Sequence, residues 1–213
     1  MCTVRRVPRL VPPVVEPGAL AAADQPTVPI DDELSLRSFD VPDVPSVLEA
    51  FRDPDIQRWH LRRFDECAEA EALIRRTHAD WTSETAATWA VQSPEGTVLG
   101  RVTLYPRLAA GLGEISYWVL PSARRRQVAT RATLALVRWA HQRVGLRRIE
   151  LAHSTLNQGS CGVADRAGFR SEGTKRSALL HADGWHDMHL HSHLATDPDP
   201  ALAPPRPRHR RPE

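Results

Sequence analysis

The sequence predicts an α/β fold in which helices flank a mixed β-sheet. Short runs of alternating or continuous apolar residues, such as "LSLRSF", "TVLGRVTLY" and "GEISYWVL", are typical of strands. Longer runs with an apolar residue every three or four positions, such as "PDVPSVLEAF" and "VATRATLALVRWA", are typical of amphipathic helices. In chain order the elements read β-α-α-β-β-β-α-β-α-β-β, and this mixture predicts a sheet that helices cover.

The first half of the chain supplies a strand, two helices and a hairpin. "LSLRSF" is the first strand, and Asp43 is expected to cap the helix that follows. "DPDIQRWHLRRF" is expected to be a loop that exposes two aromatic side chains, Trp59 and Phe64. Asp65 is expected to cap the second helix, and "ATWAVQ" pairs with "TVLGRVTLY" across the turn "SPEG".

The second half continues with the strand "GEISYWVL", an arginine-rich loop and a long helix. "RRIELAHS" is the next strand, and the short helix in "NQGSCGVADRAGF" ends at Gly168, since glycine commonly terminates helices. "FRSEGTKRSALL" and "WHDMHLHSHL" form a last hairpin around the turn "HADG".

Composition divides the chain into three parts. Residues 1–30 are rich in proline and alanine without a strand or helix period, which predicts a disordered leader. Residues 31–195 form a single α/β domain, and residues 196–213 form a basic, proline-rich tail.

Charge and cysteine content narrow the functional classes. The net charge is +2, yet eight arginines and no acidic residue lie between Arg124 and Arg148, which favours a small anionic ligand over nucleic acid. Three widely spaced cysteines predict no disulfide framework, and no run is long and apolar enough to span a membrane. We therefore expect a cytoplasmic protein, monomeric or homodimeric, without a membrane partner.

Four motifs resemble those of the GNAT superfamily of acyl-CoA-dependent N-acetyltransferases, and most closely its RimJ/RimL branch. They are "GEISYWVLP", Arg124-x-x-Gln127-x-Ala129, "GLRRIEL" followed by Asn157-x-x-Ser160, and "ADRAGF". They occur in the family's order and spacing within residues 33–195. The resemblance implies a GNAT-like mixed, splayed central sheet flanked by helices, in a single domain with disordered termini.

The resemblance also implies a site for acetyl-CoA. Backbone N–H groups at a helix start suit a pyrophosphate, and the strand edge suits the pantetheine amides. The implied acetyl-CoA contacts are Trp118, Val119, Leu120, Arg124, Arg125, Arg126, Gln127, Val128, Ala129, Thr130, Asn157 and Ser160. Gln127 stands where the family has its most diagnostic glycine. The alternative interpretation of Arg124–Arg126 is a solvated, basic helix start.

Two residues are candidates for the chemistry. An amine must lose a proton to attack a thioester, and Glu114 is the candidate base, although it also suits a plain strand-end carboxylate. Ser160 is the candidate donor to the departing CoA thiolate. Asn157 suits either a helix cap or a pantetheine contact.

Acceptor binding is predicted at four aromatic or imidazole side chains: Trp59, Phe64, Trp185 and His191. His189, His191 and His193 share one strand face and have zinc-ligand chemistry, but we interpret that face as an exposed polar one, with Met188, Leu190 and Leu194 facing the core. We therefore expect no metal.

The leading hypothesis is an N-acetyltransferase that moves an acetyl group from acetyl-CoA to a primary amine by direct attack on the thioester. The amine belongs to a protein N-terminus, a small molecule or an antibiotic. The alternatives are a catalytically altered acyl-CoA-binding or interaction module, and an enzyme that uses another acyl or aminoacyl donor.

Overall fold

The computed structural model describes residues 10–199, which build one eight-stranded sheet with helices on both faces. The strands are β1 (Val28–Pro29), β2 (Ser35–Arg37), β3 (Ala87–Gln92), β4 (Val98–Arg107), β5 (Leu112–Val119), β6 (Arg148–Ser154), β7 (Arg170–His181) and β8 (Gly184–Leu194). The helices are α1 (Val44–Arg52), α2 (Pro54–His60), α3 (Cys67–Thr82), α4 (Val128–Trp139) and α5 (Gln158–Arg166). The predicted fold class is confirmed.

The strand order across the sheet is β1-β2-β3-β4-β5-β6-β8-β7. Neighbours pair antiparallel except β5 and β6, which are parallel. The helices α4 and α5 cover one face, where Leu104, Ile115 and Ile149 are buried, and α1–α3 cover the other, around Phe51 and Trp118. No helix within residues 10–199 is long and apolar enough to cross a membrane.

The segment "DPDIQRWHLRRF" contains a helix, α2, where the sequence predicts a loop. Asp53 caps α2 by accepting the Ile56 N–H at 2.9 Å, and Pro54 follows in the first turn. Both features are typical of helix starts. The helix has only seven residues, too few for a clear apolar period. The helix fixes Trp59 and His60 on the wall of the site rather than on a loose loop.

Asp43 occupies the cap position of α1 as predicted, but its carboxylate makes no capping hydrogen bond, and the predicted cap Asp65 of α3 is wrong. The Asp43 carboxylate is held by the Arg37 guanidinium at 2.6 and 2.7 Å and accepts the Asp40 N–H. Helix α3 begins one residue beyond the prediction, with Glu66 at the cap position and the Glu69 carboxylate accepting the Glu66 N–H at 2.9 Å. At α3, the capping that the sequence assigned to Asp65 comes from the Glu66–Glu69 pair.

Residues 10–30 pack on the domain, which contradicts the predicted disorder for this part of the leader; residues 1–9 lie outside the described residues. Val15 and Leu20 are buried in the core. The Glu84 carboxylate accepts backbone N–H groups from this segment, at 2.6 Å from Gly18 and Leu20. The Trp89 indole N–H donates to the Pro26 carbonyl at 2.8 Å. These partners lie more than 60 positions away, so local composition could not reveal them.

The tail prediction falls mostly outside the described residues, which end at residue 199. Its first residues contact the domain: Asp199 accepts two hydrogen bonds from the Arg138 guanidinium at 2.7 Å, and Asp197 pairs with Arg170 at 3.1 Å.

Candidate active site

A cleft opens where β5 and β6 separate. The two strands pair only over Leu112–Glu114 and Arg148–Glu150, and beyond these residues they diverge. The space between them is part of a cleft of about 890 Å³, a size typical of small-molecule sites. Its walls come from α2, β5, the loop before α4, the end of β6 and the start of α5. The divergence leaves one edge of β5 without a neighbouring strand.

The loop before α4 holds two residues in the left-handed backbone region. Arg125 has φ 62° and Gln127 has φ 57°, conformations that cost about 1–2 kcal/mol each for residues other than glycine. Gln127 thus adopts the backbone for which glycine is the usual choice, and both residues line the cleft. Backbone strain of this kind is common at functional sites, where the surrounding structure maintains it.

The first turn of α4 points free backbone donors toward this loop. The first bond of the helix runs from the Arg131 N–H to the Gln127 carbonyl at 2.9 Å. The N–H groups of Val128, Ala129 and Thr130 precede it and, as in every α-helix, have no intrahelical acceptor. All three residues line the cleft. This end of the cleft is therefore suited to an anion.

The arginines of the loop contribute less than the sequence suggests. The Arg124 guanidinium lines the cleft but pairs with Asp53 and, at 2.9 Å, with Asp55. Arg126 is exposed and lies outside the cleft wall. Because Arg124 is already paired with carboxylates, the groups available to an anion at this end are the backbone N–H groups, Arg125 and Arg166, whose Nε lies 3.4 Å from the Thr130 hydroxyl.

The free edge of β5 offers Trp118 and Val119 to the cleft. Leu120, predicted beside them, lies outside the cleft wall because its side chain is buried and its N–H donates to the Leu99 carbonyl at 2.9 Å. The Tyr117 carbonyl accepts a hydrogen bond from His60 Nε2 at 2.9 Å. Burial, reinforced by nearby Arg101, lowers the pKa of His60 to about 3, so this ring is neutral.

Glu114 lines the cleft where β5 and β6 begin to separate. Partial desolvation, followed by the neighbouring Glu150 carboxylate, raises the pKa of Glu114 above its ordinary value of 4.5. A raised pKa makes a carboxylate a stronger base. The side chain is still exposed, so an incoming molecule can reach it.

Two hydroxyl groups lie together on the opposite wall of the cleft. Ser160 and Tyr117 both line it, and Asn157 caps α5 by accepting the Ser160 N–H at 3.0 Å. Burial raises the pKa of Tyr117 to about 12, although the adjacent Ser160 hydroxyl acts in the opposite direction. Tyr117 therefore stays protonated near neutral pH and can donate a hydrogen bond.

A polar chain that the sequence analysis missed lies on the α2 side of the cleft. The Ser154 hydroxyl lies 2.9 Å from His186 Nδ1, and His186 Nε2 lies 2.8 Å from the Asp183 carboxylate. Ser154 lines the cleft. The turn "HADGWH" brings Asp183 and His186 together, but only the pairing of β6 with β8 places Ser154 beside them.

His181 lines the cleft next to this chain with an unsatisfied nitrogen. Its Nδ1 faces the Arg58 carbonyl at 3.0 Å, and because a carbonyl only accepts, Nδ1 carries the proton. In the neutral ring Nε2 then has a lone pair, and Nε2 is buried without a partner within residues 10–199. The His181 ring stacks on His186, with centroids 4.0 Å apart, and Trp59 contacts both rings. The wall therefore contains an unsatisfied hydrogen-bond acceptor just beneath its surface.

Three of the four predicted acceptor residues lie elsewhere; Trp59 alone lines the cleft. Phe64 packs on Phe51 in the core, with centroids 4.4 Å apart. Trp185 is 63% exposed at the start of β8, beyond the cleft wall. His191 is buried on the α4–α5 face of the sheet, where its Nε2 lies 3.2 Å from His153 Nε2.

The predicted faces of β8 are also reversed. His191 and His193 are each 4% exposed, whereas Met188 and Leu190 are half-buried and Leu194 is exposed. The register with β6 explains this, because His191 lies opposite Leu151 and His193 opposite Ile149, both of them core residues. A histidine ring has enough apolar surface for burial, and here one nitrogen of each ring, His191 Nδ1 and His193 Nε2, is buried without a partner within residues 10–199.

The sequence profile of the family described as "Acetyltransferase (GNAT) domain" matches residues 33–170. A Bacillus subtilis (strain 168) protein, YdaF, provisionally described as a ribosomal N-acetyltransferase, is 27% identical over 101 residues. That match covers 47% of this chain and 55% of the relative, so it spans about half the length of the curated protein.

Solved structures share the fold. RimJ from Mycobacterium smegmatis, in complex with CoA-disulfide, superposes with a TM-score of 0.75 at 20% identity, covering 84% of this chain and 92% of RimJ. The microcin C7 self-immunity acetyltransferase MccE, in complex with acetyl-CoA and AMP, gives a TM-score of 0.69 at 18% identity, covering 78% and 94%. At these identities the likeness establishes the fold alone.

Proposed function

Because the chain belongs to the GNAT acetyltransferase family, we propose that it transfers an acetyl group from acetyl-CoA to a primary amine. The observation that carries this proposal is the divergence of β5 from β6 at Glu114. It opens a cleft with free helix-start amides at one end and a hydrogen-bonding wall on the α2 side. A donor and an acceptor can therefore enter from different directions and meet between the strands.

Acetyl-CoA binds along the free edge of β5. Its pyrophosphate takes the amides of residues 125–130, where the positive end of the α4 dipole adds attraction, and the Thr130 hydroxyl lies at the same end. The pantetheine arm follows Trp118 and Val119, as an added strand would, and Asn157 lies on the facing wall. The thioester then lies between Glu114 and the Tyr117–Ser160 pair.

The reaction is a direct attack of the amine nitrogen on the thioester carbonyl carbon. A C–N bond forms and the C–S bond breaks, while Glu114 takes the proton that the amine releases. The CoA thiolate leaves with its electron pair and takes a hydrogen bond or proton from the Tyr117 or Ser160 hydroxyl. Tyr117 is an additional candidate for this function, because its hydroxyl is buried beside Ser160.

The acceptor amine binds on the α2 side of the cleft. The His181 Nε2 lone pair accepts an amine N–H, and Trp59 supplies an apolar wall. Attraction by Asp53 and Asp55 contributes little, because Arg124 pairs with both carboxylates. The acceptor is a protein N-terminus or a small-molecule amine, and a cytoplasmic location fits such substrates.

The direct test is a mass-spectrometric screen. The full chain is incubated with acetyl-CoA and with pooled peptides and small amines, and acceptors that gain an acetyl group are identified. Glu114→Gln should lose the product, and Glu95→Gln, in the exposed β3–β4 turn, should keep it. Absence of any acetylated product from wild type with all pools would contradict the proposal, and binding of acetyl-CoA without turnover would favour a binding module instead.

A further inference from the structure

A cluster of three imidazole side chains lies on the α4–α5 face of the sheet. His153 of β6 lies directly opposite His189 of β8, and His191 is the next residue on the same face of β8. One ring nitrogen from each lies within 4.8 Å of the others. Two adjacent, paired strands thus supply all three groups, and strands hold such groups more precisely than loops do.

The distances within the cluster suit a shared ion. His153 Nε2 and His191 Nε2 lie 3.2 Å apart. Two nitrogens bound to one tetrahedral zinc at about 2.0–2.1 Å each are separated by about 3.4 Å, so this pair already has the required spacing. His189 is half-buried, and its ligand nitrogen lies within 4.8 Å of the other two.

A hydrogen bond to the backbone holds the His153 ring in the orientation that a metal ligand requires. Its Nδ1 lies 2.9 Å from the Ser154 carbonyl, which only accepts, so Nδ1 carries the proton and Nε2 presents its lone pair to the cluster. A hydrogen bond from the distal nitrogen to a carbonyl is the usual support of a metal-bound histidine.

Without an ion the cluster leaves one polar atom unsatisfied. If His191 Nε2 donates its proton to His153, the lone pair of His191 Nδ1 is buried without a partner within residues 10–199. If the proton is on Nδ1 instead, two lone pairs face each other at 3.2 Å. A cation between the rings would bind both lone pairs and so remove the second conflict.

We propose that His153, His189 and His191 bind a zinc ion beside the cleft, which His153 also lines. Imidazole suits zinc and its neighbours in the transition series, whereas magnesium and calcium require oxygen ligands. Three histidines leave a fourth position open to water or another ligand. The ion would link β6 to β8. It would stabilise the pairing of these strands next to Ser154 and His186, which lie on the opposite face of the sheet.

The test measures metal content in the full chain, prepared without a histidine tag. The protein is stripped with a chelator, reloaded with ZnCl₂, desalted and assayed for zinc by mass spectrometry, with MgCl₂ as a negative control. Wild type should retain about one zinc per chain and should melt at a higher temperature with zinc than without it. Cobalt in its place should give the visible absorption of a tetrahedral site.

Matched variants locate the ion. His189→Asn and, separately, His191→Asn should lose the zinc, whereas His193→Asn, which changes a buried histidine on the same face of β8, should retain it. Circular dichroism confirms that each variant is folded. The proposal is overturned if wild type retains no zinc, or if His193→Asn loses it as fully as His189→Asn does. None of these outcomes depends on acetyltransferase activity.

Discussion

The donor side and the acceptor side of the cleft are built in opposite ways. The donor side is one continuous segment, the loop and first turn of α4, in which Arg124 is already paired with carboxylates. The acceptor side combines α2, β6, β7 and β8, and His181 has a buried nitrogen that finds no partner among the described residues. The difference indicates that the donor is held mainly by backbone, which tolerates side-chain change, and the acceptor by side chains, which determine specificity.

Glu114→Gln should have the largest effect, because it removes the base without disturbing either binding wall. We expect kcat to fall about 100-fold or more, with the Kd for acetyl-CoA unchanged. Since the pKa of Glu114 is raised, wild-type kcat/KM should increase with pH through that pKa, and the variant should lack this rise. Steady-state kinetics across pH tests it; an unchanged kcat and pH profile would exclude Glu114 as the base.

Protonation of His60 at acid pH should destabilise the folded protein at the contact between α2 and β5. Its pKa is about 3 in the folded protein and 6.5 in its ordinary state, so the unfolded chain binds the proton first. Stability is then complete above about pH 6.5 and decreases as pH falls toward 3, by at most about 1.4 kcal/mol per pH unit. Urea unfolding at several pH values should show a shallower dependence for His60→Asn. An equal dependence in both proteins would assign the acid sensitivity to other groups.

His181→Phe tests the acceptor wall alone. The ring still stacks on His186, but the Nε2 lone pair that we assign to the amine is gone. We expect KM for the amine to rise about tenfold, since a lost hydrogen bond to a buried group costs about 1–3 kcal/mol, while acetyl-CoA binding stays the same. His78→Phe, on the exposed side of α3, is the control. A parallel loss of acetyl-CoA affinity would show that the two walls are not separate.

Gln127→Gly tests the donor wall and should have the smallest effect. Glycine adopts φ 57° without strain, so we expect stability to rise by about 1 kcal/mol, with acetyl-CoA affinity retained. Ala129→Gly, inside the first turn of α4, should instead destabilise by a similar amount. Thermal denaturation compares the two. A destabilised Gln127→Gly protein would mean that the glutamine side chain, and not the backbone, matters at this position.

The same contrast explains what the sequence could predict. Residues 121–130 and the strand before them are local in sequence, so their arrangement at a cleft could be anticipated from motif order, and Glu114, Trp118 and Ser160 line it. Ser154, His181 and His186 come together only through the pairing of β6 with β8 and of β7 with β8. The sequence pattern also predicted the wrong buried face for β8, because histidine, a polar residue type, occupies that face.

The sequence also failed to predict that residues 10–30 of the leader pack on the domain. Its apolar residues have no period, yet Val15 and Leu20 are buried, because Glu84 and Trp89 supply hydrogen bonds from distant positions. Propensity and composition carry no information about such partners. The boundary of the domain at residue 31 therefore remains a prediction, as does the character of the tail beyond residue 199.

Calorimetric titration of acetyl-CoA into wild type and into Ala129→Pro tests the central claim most directly. Proline in the first turn of α4 removes one backbone donor without breaking an intrahelical bond, because Ala129 precedes the first of these. We predict one binding site per chain in wild type, an affinity about tenfold or more weaker in Ala129→Pro, and little change in Arg126→Gln. No binding by wild type, or a loss in Arg126→Gln that exceeds the loss in Ala129→Pro, would contradict a backbone-held donor.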